Sequence, residues 1–314
     1  SHSVVFDGLE PGTLYHFQVR SRDEAENLAR NLPYVLEQNY PNFEVIVVDD
    51  GGDGDLAGVC CPFEPELRIV LEKKVNGGPA AARNHGAELA TGRWLAFTDD
   101  DCEPGAGWLA GLEQAFTENP RAMIGGHTHN RLRDNLFSQA SQDIIDLVYR
   151  HYNERNDQAL FLTANNMALP REKFLEMGGF DAEFSAGTAE DRELCERWLQ
   201  AGHRIVYEPG LEVYHSHHLD FTGYFRQHFN YGRGARSYRR VCRQRRWQAR
   251  GRDAGWQLRA HNWLFYPFHT GQTKPIRRML ALLAWQVANG LGYLWQALVD
   301  LGARPRDVTI AGKE

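Results

Sequence analysis

The chain has 314 residues, of which 42% are hydrophobic and 24% are charged, and its formal net charge is −6 at pH 7. These values are typical of a globular protein with one large domain or one domain plus an appendage, and they exclude a disordered chain. The acidic balance argues against a nucleic-acid partner, because such binding needs a basic surface that neutralises phosphates. The odd number of cysteines, without zinc-ligand spacing, fits reduced thiols in a cytoplasmic protein better than a disulfide framework.

The first 23 residues contain the pattern "LEPGTLYHFQVRSRD". This turn-then-strand pattern resembles the tyrosine corner and following strand of a fibronectin type III module. A fragment of this length cannot bury a core of its own. The alternation of Tyr15, Phe17 and Val19 predicts a strand. We therefore expect residues 1–23 to be such a fragment or a replaced first strand that docks on the main sheet.

From residue 24 onward, predicted helices and strands alternate. The segment "DEAENLARNLPYVLEQNY" has apolar residues at helical spacing, whereas "NFEVIVV" and "LRIVLEKK" are predicted strands. The next helix opens at Pro79 behind Gly77 and Gly78, and the strand "RWLAFT" follows it. This alternation predicts an α/β fold with a mostly parallel twisted sheet flanked by helices.

Four motifs follow one another along the chain: "YPNFEVIVVDDGG", "NGGPAAARNHGAELATGRWLAFTDDD", "TANNMALPREKFLEMGGFD" and "TAEDREL". In this order, over roughly Ala25 to Gly234, they resemble the motifs of the family 2 glycosyltransferases. The resemblance implies a GT-A fold and inverting transfer from a nucleotide-diphosphate sugar. The family usually opens with a hydrophobic strand and a Pro-Thr-Tyr-Asn-like turn that contacts the nucleotide. Here "YHFQVRSRDEAENLA" takes that place.

Three adjacent carboxylates, Asp99, Asp100 and Asp101, follow the strand "RWLAFT". Such carboxylates resist ionising together unless a cation compensates their charge. The cluster therefore predicts a site where Mg2+ or Mn2+ bridges the two phosphates of a nucleotide diphosphate. By resemblance, Asp99 and Asp101 are the metal contacts and Asp100 lies nearer the ribose or the sugar. The alternative is a solvated acidic loop.

Two further loops offer polar groups for binding the nucleotide sugar. Asp49 and Asp50 end a strand, where a carboxylate can accept hydrogen bonds from a nucleobase or a ribose, and the resemblance favours Asp50 for the base. The alternative is ordinary loop polarity or a helix cap. Asn76, Gly78 and Arg83 precede or open a helix, whose N-terminus favours an anion. Their alternative is a plain glycine turn, with Arg83 paired to an acidic neighbour.

A second carboxylate pair, Glu190 and Asp191, stands at the start of a predicted helix. Inverting transfer needs one base that takes the proton of an acceptor hydroxyl. The resemblance assigns this role to Asp191, with Glu190 shaping the acceptor pocket, and Asn166 and Trp108 are expected acceptor contacts. The alternative is that both acids only complement the helix dipole.

The segment "VYHSHHLDF" follows a further predicted strand and offers His215, His217 and His218. A neutral imidazole can complete a metal site, and in the family a histidine at this place sometimes does so. We expect His215 to be the third metal ligand because it follows the strand most directly. The alternative is surface or structural histidines.

The tail changes in character, with ten arginines and no acidic residue from Arg226 to Arg252. This run favours an anionic partner, either lipid headgroups or a lipid-linked diphosphate acceptor, over a merely solvated helix face. Residues 279–299 are mostly apolar but are interrupted by Gln286, Asn289 and Gln296. They predict an interfacial or bundle helix rather than a membrane span, with a buried core helix as the alternative.

We therefore expect three regions: the N-terminal 1–23, a GT-A domain at 24–225, and a basic, amphipathic helical region at 226–314. The expected function is a metal-dependent inverting glycosyltransferase, of hexosyltransferase type, in cell-envelope glycan or glycolipid synthesis. It would use a sugar or lipid-linked acceptor at the cytoplasmic face of the cell membrane. The alternative is a catalytically silent sugar-nucleotide or glycan-binding protein whose first nucleotide-binding strand was replaced.

Overall fold

The computed structural model describes residues 2–6, 13–19, 24–38, 40–184, 189–247, 255, 259–271 and 273–302. The turn at residues 7–12 of the N-terminal pattern lies outside the described residues. Arg250 and Arg252 of the arginine run also lie outside them.

The described strands form two sheets. They are β1 (His2–Phe6), β2 (Thr13–Val19), β3 (Phe43–Asp49), β4 (Arg68–Lys73), β5 (Trp94–Phe97), β6 (Cys102–Pro104), β7 (Met123–Gly125), β8 (Thr128–Asn130), β9 (Met167–Pro170), β10 (Ile205–Tyr207) and β11 (Val213–His215). The larger sheet has the order β10-β7-β9-β5-β1-β2-β3-β4, and the smaller has the order β6-β11-β8. Strands β2, β3 and β4 run parallel, whereas β9 runs antiparallel to β5 and β7. The predicted α/β sheet is confirmed, with β1 and β9 as antiparallel strands.

The described α-helices flank this sheet and continue into the C-terminal part. They are α1 (Glu24–Leu36), α2 (Leu56–Cys60), α3 (Pro79–Leu89), α4 (Trp108–Glu118), α5 (Leu136–Tyr152), α6 (Arg171–Glu176), α7 (Glu190–Gln200), α8 (Phe221–Gln244), α9 (Tyr266–His269) and α10 (Pro275–Gly302). The first of these forms although Pro33 lies inside it, because its apolar face, including Leu28 and Leu32, is fully buried against the sheet.

The larger sheet is covered on both faces. Val45 and Val47 of β3 pack into one core cluster with residues of α1 and α4. Ile46 and Val48 pack into a second cluster with residues of α3 and α7. A parallel strand that is covered on both faces needs a continuous hydrophobic run of this kind.

The N-terminal segment contributes strands to the same sheet. Strand β2 pairs in parallel with β3, from Leu14 opposite Glu44 to Val19 opposite Asp49. The carboxyl end of β2 therefore lies beside the acidic end of β3. The backbone of residues 13–19 thus takes the position of a first strand docked on the main sheet.

Helices α5, α8 and α10 enclose a third core. Leu282 and Trp285 of α10 are buried in one cluster with Ile144 of α5. Arg278 of α10 donates from Nε to Asp143 of α5 at 2.7 Å, and both side chains are buried. Helix α8 starts at Phe221, so it crosses the region boundary predicted at residue 226. No helix in the described part of the chain combines the length and the apolar character that a bilayer crossing requires.

Two glycines allow α8 and α10 to approach closely. A Cβ added at Gly232 of α8 would overlap the carbonyl oxygen of Asn289, and a Cβ added at Gly292 of α10 would overlap that of Phe229. Neither site can take a larger residue unless the helices move apart. By contrast, a Cβ added at Gly290 of α10 meets no atom within 4 Å.

We expect Gly292→Ala to lower the free energy of unfolding by roughly 1 to 3 kcal/mol, because an extra methyl group overpacks the helix contact. The matched control is Gly290→Ala in the same helix. It should raise that free energy by roughly 0.5 to 1 kcal/mol, since alanine is the better helix former. Urea unfolding of both variants checks the pair. Equal shifts of the same sign would contradict the close packing of α8 on α10.

Candidate active site

A cleft opens between the carboxyl end of β5, the start of α7 and the end of β11, and α5 and α8 form its other wall. Its empty volume, with the space open to solvent included, is about 960 Å3. The predicted site residues that line it are Arg83, Asp99, Glu190, Asp191 and His215. Residues more than 100 positions apart in the chain therefore meet at the sheet edge where ligands bind in α/β folds.

The buried guanidinium of Arg83 connects the two acidic motifs. It donates to Asp99 at 2.8 Å and to Glu190 at 3.1 Å. Burial raises the pKa of Glu190, and the nearby Arg83 opposes this effect. The Arg83 side chain is only 5% exposed, so removing it would leave Glu190 as an uncompensated buried charge. The alternative expected for Arg83, pairing with acidic neighbours, is what the structure shows.

Asp101 forms a second cluster with the histidines after β11. Its Oδ2 lies 3.0 Å from Nε2 of His215 and 3.3 Å from Nδ1 of His217. Burial alone would raise the pKa of Asp101, but the two imidazoles outweigh it and lower that pKa. His217 lies two residues after His215, and side chains at positions i and i+2 of an extended chain lie on the same face. This spacing is the sequence signal for the contact of His217 with Asp101.

This cluster fits a divalent metal. Ligand atoms of Asp101, Cys102 and His215 lie within 4.8 Å of one another. A carboxylate suits Mg2+ and Mn2+, and a neutral imidazole is a common metal ligand. The Cys102 thiol is fully buried, and burial together with Asp101 and Asp99 holds its pKa well above the usual range.

Asp99 and Asp100 differ from Asp101 in their surroundings. The Asp99 side chain is 26% exposed, faces the cleft and contacts Arg83 through Oδ1, so the structure does not bring it into the cluster of Asp101. Asp100 is buried and accepts a hydrogen bond from Asn27 of α1 at 3.2 Å. Burial and the carboxylates of Asp101 and Asp99 hold the pKa of Asp100 well above its usual range.

Asp50 was expected to contact the base, but its carboxylate is hydrogen-bonded within the chain. Its Oδ1 accepts from Lys74 at 2.7 Å and from the Gly77 backbone at 2.9 Å, and its Oδ2 accepts from the Gly78 backbone at 2.7 Å. The side chain is fully buried. With both oxygens occupied from within the chain, Asp50 holds the glycine loop ahead of α3 instead of facing a ligand.

Asp49 is turned inward in the same way. Its Oδ1 accepts from the Gly52 backbone at 2.6 Å, and its Oδ2 lies 3.2 Å from Nζ of Lys73. The loop alternative weighed for Asp49 is therefore what the structure shows. The exposed Asn76 lies beside Gly51, where φ is +88° and an added Cβ would be 3.0 Å from the Asn76 nitrogen. The two glycine loops thus touch, and Asn76 and Gly78 remain proposed nucleotide contacts.

The expected acceptor contacts Trp108 and Asn166 are also corrected. The indole nitrogen of Trp108 donates to Asn166 Oδ1 at 2.8 Å, and Nδ2 of Asn166 donates to the carbonyl of Leu211 at 2.8 Å. Trp108 is 1% exposed and Asn166 is 0% exposed. They tie α4 to the segments before β9 and β11 from inside the core, so neither can touch an acceptor.

Asp191 is half-buried in the wall of the cleft. Burial, with the neighbouring Glu190, raises the pKa of Asp191 to about 7, so near neutral pH it can both accept and release a proton. Helix α7 begins at Glu190, and its N-cap is Ala189, at φ 90° and without a side-chain cap. Asp191 therefore does not act as the N-cap of α7, although it accepts from the Arg192 backbone at 2.7 Å.

Helix α8 places three residues in the cleft that sequence reasoning missed. Gln227, His228 and Tyr231 line it, in the segment assigned to a basic tail. Burial lowers the pKa of His228 to about 3, so its ring is neutral at physiological pH. Its Nδ1 is buried, and no described residue bonds to it. The tail thus forms part of the cleft, which no local pattern indicated.

The sequence model of glycosyl transferase family 2 matches residues 19–178. Over 206 residues the chain is 26% identical to a glucosyl-dolichyl phosphate glucuronosyltransferase of Haloferax volcanii, across 62% of this chain and 66% of that relative. Over 223 residues it is 30% identical to a pre-mycofactocin glycosyltransferase of Mycobacterium tuberculosis, across 68% of this chain and 45% of the relative. The chain thus spans less than two thirds of the length of each.

Solved glycosyltransferases have a similar fold. The mannosyltransferase PcManGT from Pyrobaculum calidifontis, in complex with GDP-Man and Mn2+, has a TM-score of 0.59 at 17% identity, over 93% of this chain and 81% of that one. Staphylococcus aureus TarS 1–349, in complex with UDP-GlcNAc, has a TM-score of 0.54 at 14% identity, over 93% of both chains. They confirm the predicted GT-A-like fold. None of these matches supports the fibronectin type III resemblance.

Proposed function

The chain belongs to glycosyl transferase family 2, and on that premise we propose that it is an inverting, metal-dependent transferase. It moves a sugar, of hexosyl type, from a nucleotide-diphosphate sugar to a hydroxyl of its acceptor. The observation that carries this proposal is the meeting in one cleft of two acidic motifs, one beside histidines and one holding a carboxylate with a pKa near 7. PcManGT was solved with GDP-Man and Mn2+, which supports the donor class and the metal.

The metal would be held by Asp101 and His215, with Asp99, whose side chain lines the cleft, as a further ligand. When bound, Mg2+ or Mn2+ supplies positive charge against the charge that builds on the leaving diphosphate. Asn76 and Gly78 lie in the glycine loop that precedes α3. They would contact the donor phosphates there, because a helix N-terminus favours phosphate. Arg83 holds Asp99 in place until the donor binds.

Asp191 would act as the general base. Its carboxylate takes the proton of the acceptor hydroxyl while that oxygen attacks the anomeric carbon, on the side opposite the diphosphate. The new bond forms as the bond to the diphosphate breaks, so the configuration inverts without a covalent enzyme intermediate. Burial raises the pKa of Asp191, and Glu190, which Arg83 holds in place, raises it further.

We expect Asp191→Asn to lower turnover about 10²- to 10⁴-fold, or about 3 to 5 kcal/mol in the barrier, with donor affinity unchanged. Wild-type turnover should rise as pH passes through about 7, because the base works only when deprotonated. A thermal-shift screen first identifies the nucleotide sugar that stabilises the protein most. The assay then measures the Mn2+-dependent hydrolysis of that nucleotide sugar. Asp134→Asn, at an exposed loop position, controls for the loss of one charge.

Two results would count against this assignment. A loss of less than about tenfold in Asp191→Asn, with intact donor affinity, would remove Asp191 from the mechanism, since general-base catalysis contributes more than that. Donor binding without turnover in the wild type would favour the catalytically silent binding protein.

We further propose that the protein lies on an anionic membrane surface, at its cytoplasmic face, and serves cell-envelope glycan or glycolipid synthesis. The Haloferax relative is named for a glucosyl-dolichyl phosphate substrate, which supports a lipid-linked acceptor. One side of α10, here called its outer face, is apolar and exposed along its length. Its residues are Ile276, Leu280, Leu283, Val287, Leu291, Leu294, Leu298 and Leu301.

Among the arginines of the C-terminal region, some pair with acidic residues of the protein and others are exposed. Arg236 and Arg240 pair with Asp300 at 3.1 and 2.9 Å, and Arg245 pairs with Asp181 at 3.1 Å, so these arginines hold the tail on the protein. A second group is exposed in or next to α8 and at the start of α10: Arg226, Arg243, Arg246 and Arg277. An apolar helix face with exposed cations nearby is typical of helices that lie in the interface of anionic bilayers.

The double substitution Leu294→Gln with Leu298→Gln should weaken binding to anionic vesicles about tenfold or more, because each buried leucine contributes roughly 1.5 to 3 kcal/mol. Both side chains are more than 60% exposed, at 62% and 66%, so the fold should tolerate the change. Vesicle flotation measures the effect, with Leu89→Gln on α3 as the control. Raising the salt concentration should weaken wild-type binding as well.

Equal flotation of the wild type and the double variant would refute the membrane assignment. A wild-type dimer in light scattering that the same two substitutions dissociate would instead assign the outer face of α10 to a second copy of the chain.

A further inference from the structure

A second cavity, here called the rear pocket, adjoins the cleft. Its empty volume, with open space included, is about 910 Å3. It lies among α5, α7, α8 and α10. Six residues line both it and the cleft: Ile144, Ile145, Thr163, Glu190, Asp191 and Tyr231. The proposed base thus stands where the two cavities join.

The wall of the rear pocket beyond this junction is mainly apolar. Val148 and Phe161 line it, together with Trp285, which is 2% exposed and is fixed in the third core. Ala235 of α8 also faces the pocket. A pocket with many apolar groups and few convergent polar ones suits a hydrophobic group rather than a nucleotide or a bare sugar.

The polar side of the rear pocket is fixed in position. The guanidinium of Arg192 lies 4.7 Å from the ring centroid of Tyr152 and 5.1 Å from that of Tyr238. It also donates to the Tyr152 hydroxyl at 2.5 Å. Stacking on two rings restricts Arg192, so the rim of the pocket beside Asp191 is ordered before a ligand binds.

We propose that the rear pocket binds the apolar part of an amphiphilic acceptor, such as an alkyl or prenyl chain next to the sugar or hydroxyl that reacts. The donor diphosphate would occupy the side of Asp99 and Asp101, and the acceptor hydroxyl would meet Asp191 at the junction. Its apolar group would then extend between α5 and α10, towards Trp285. This inference rests on the proposed role of Asp191, and it names the class of acceptor that the role leaves open.

The test uses alkyl β-D-glucosides from methyl to octyl, each below its micelle concentration, titrated into the full chain by calorimetry. Each methylene that enters the pocket should lower Kd by up to about fourfold, the value that corresponds to ~0.8 kcal/mol per buried CH2. The Ala235→Phe variant fills the pocket and should abolish the dependence on chain length. Ala235→Ser, which leaves the space open, should keep it.

Two further variants serve as a replacement and a control. Val148→Asn makes the wall polar with a small change in size, so it replaces Ala235→Phe if that variant does not fold by thermal melting. The double variant Leu294→Gln with Leu298→Gln should keep the dependence on chain length, because the outer face of α10 is a different surface. Its loss in this variant would move the binding from the rear pocket to that face.

Affinities that do not change with chain length in the wild type would overturn the inference, as would the same dependence in a folded Ala235→Phe variant. Mn2+-dependent turnover of the donor, measured in parallel, separates this inference from the proposed function. Turnover without chain-length dependence overturns the rear pocket alone. Chain-length dependence that Ala235→Phe abolishes, without turnover, refutes the transferase and keeps the pocket as an amphiphile site.

Discussion

The buried guanidinium of Arg83 is the interaction on which the cleft depends. It brings together Asp99, which follows β5, and Glu190, which opens α7, although the two acids are far apart in the chain. Without a cation between them, the carboxylates would repel one another, and Glu190 would be a buried, uncompensated charge. One arginine cannot balance all the acidic groups that surround it. Burial, together with the neighbouring Glu190, raises the pKa of Asp191 to about 7.

The carboxylates on the two sides of the cleft have different surroundings. On one side, Asp101 lies within hydrogen-bond distance of the histidines after β11, and in the proposed mechanism these groups hold the metal. On the other side, Asp191 has a pKa near 7 and stands between the cleft and the apolar rear pocket. The two carboxyl groups differ because Asp101 is paired with imidazoles, whereas Asp191 is buried beside another acid. In the proposed mechanism, donor and acceptor chemistry are therefore separated by the environment of the carboxylates rather than by residue type.

The sequence predicted what depends on local pattern. Continuous apolar runs predicted β3, β4 and β5, and the ends of β3 and β5 located Asp49, Asp50 and Asp99, because these signals need no tertiary information. The direction of a side chain at a strand end is not local. Asp50 was expected to face a base, but backbone donors of a distant loop turn it inward. Trp108 likewise meets Asn166 in the core. The arginine run could not be divided from sequence, because its partner Asp300 lies on α10.

The central claim is that the acidic cleft binds a nucleotide diphosphate through a divalent metal. Calorimetric titration of UDP and of GDP, each with and without Mn2+, tests it most directly in the wild type and in the double variant Asp99→Asn with Asp101→Asn. We expect Mn2+ to strengthen the binding of at least one nucleotide to the wild type and to have no effect on the variant, whose folding is checked by thermal melting. Binding that is independent of Mn2+ in the wild type, or an undiminished Mn2+ effect in the variant, would contradict it.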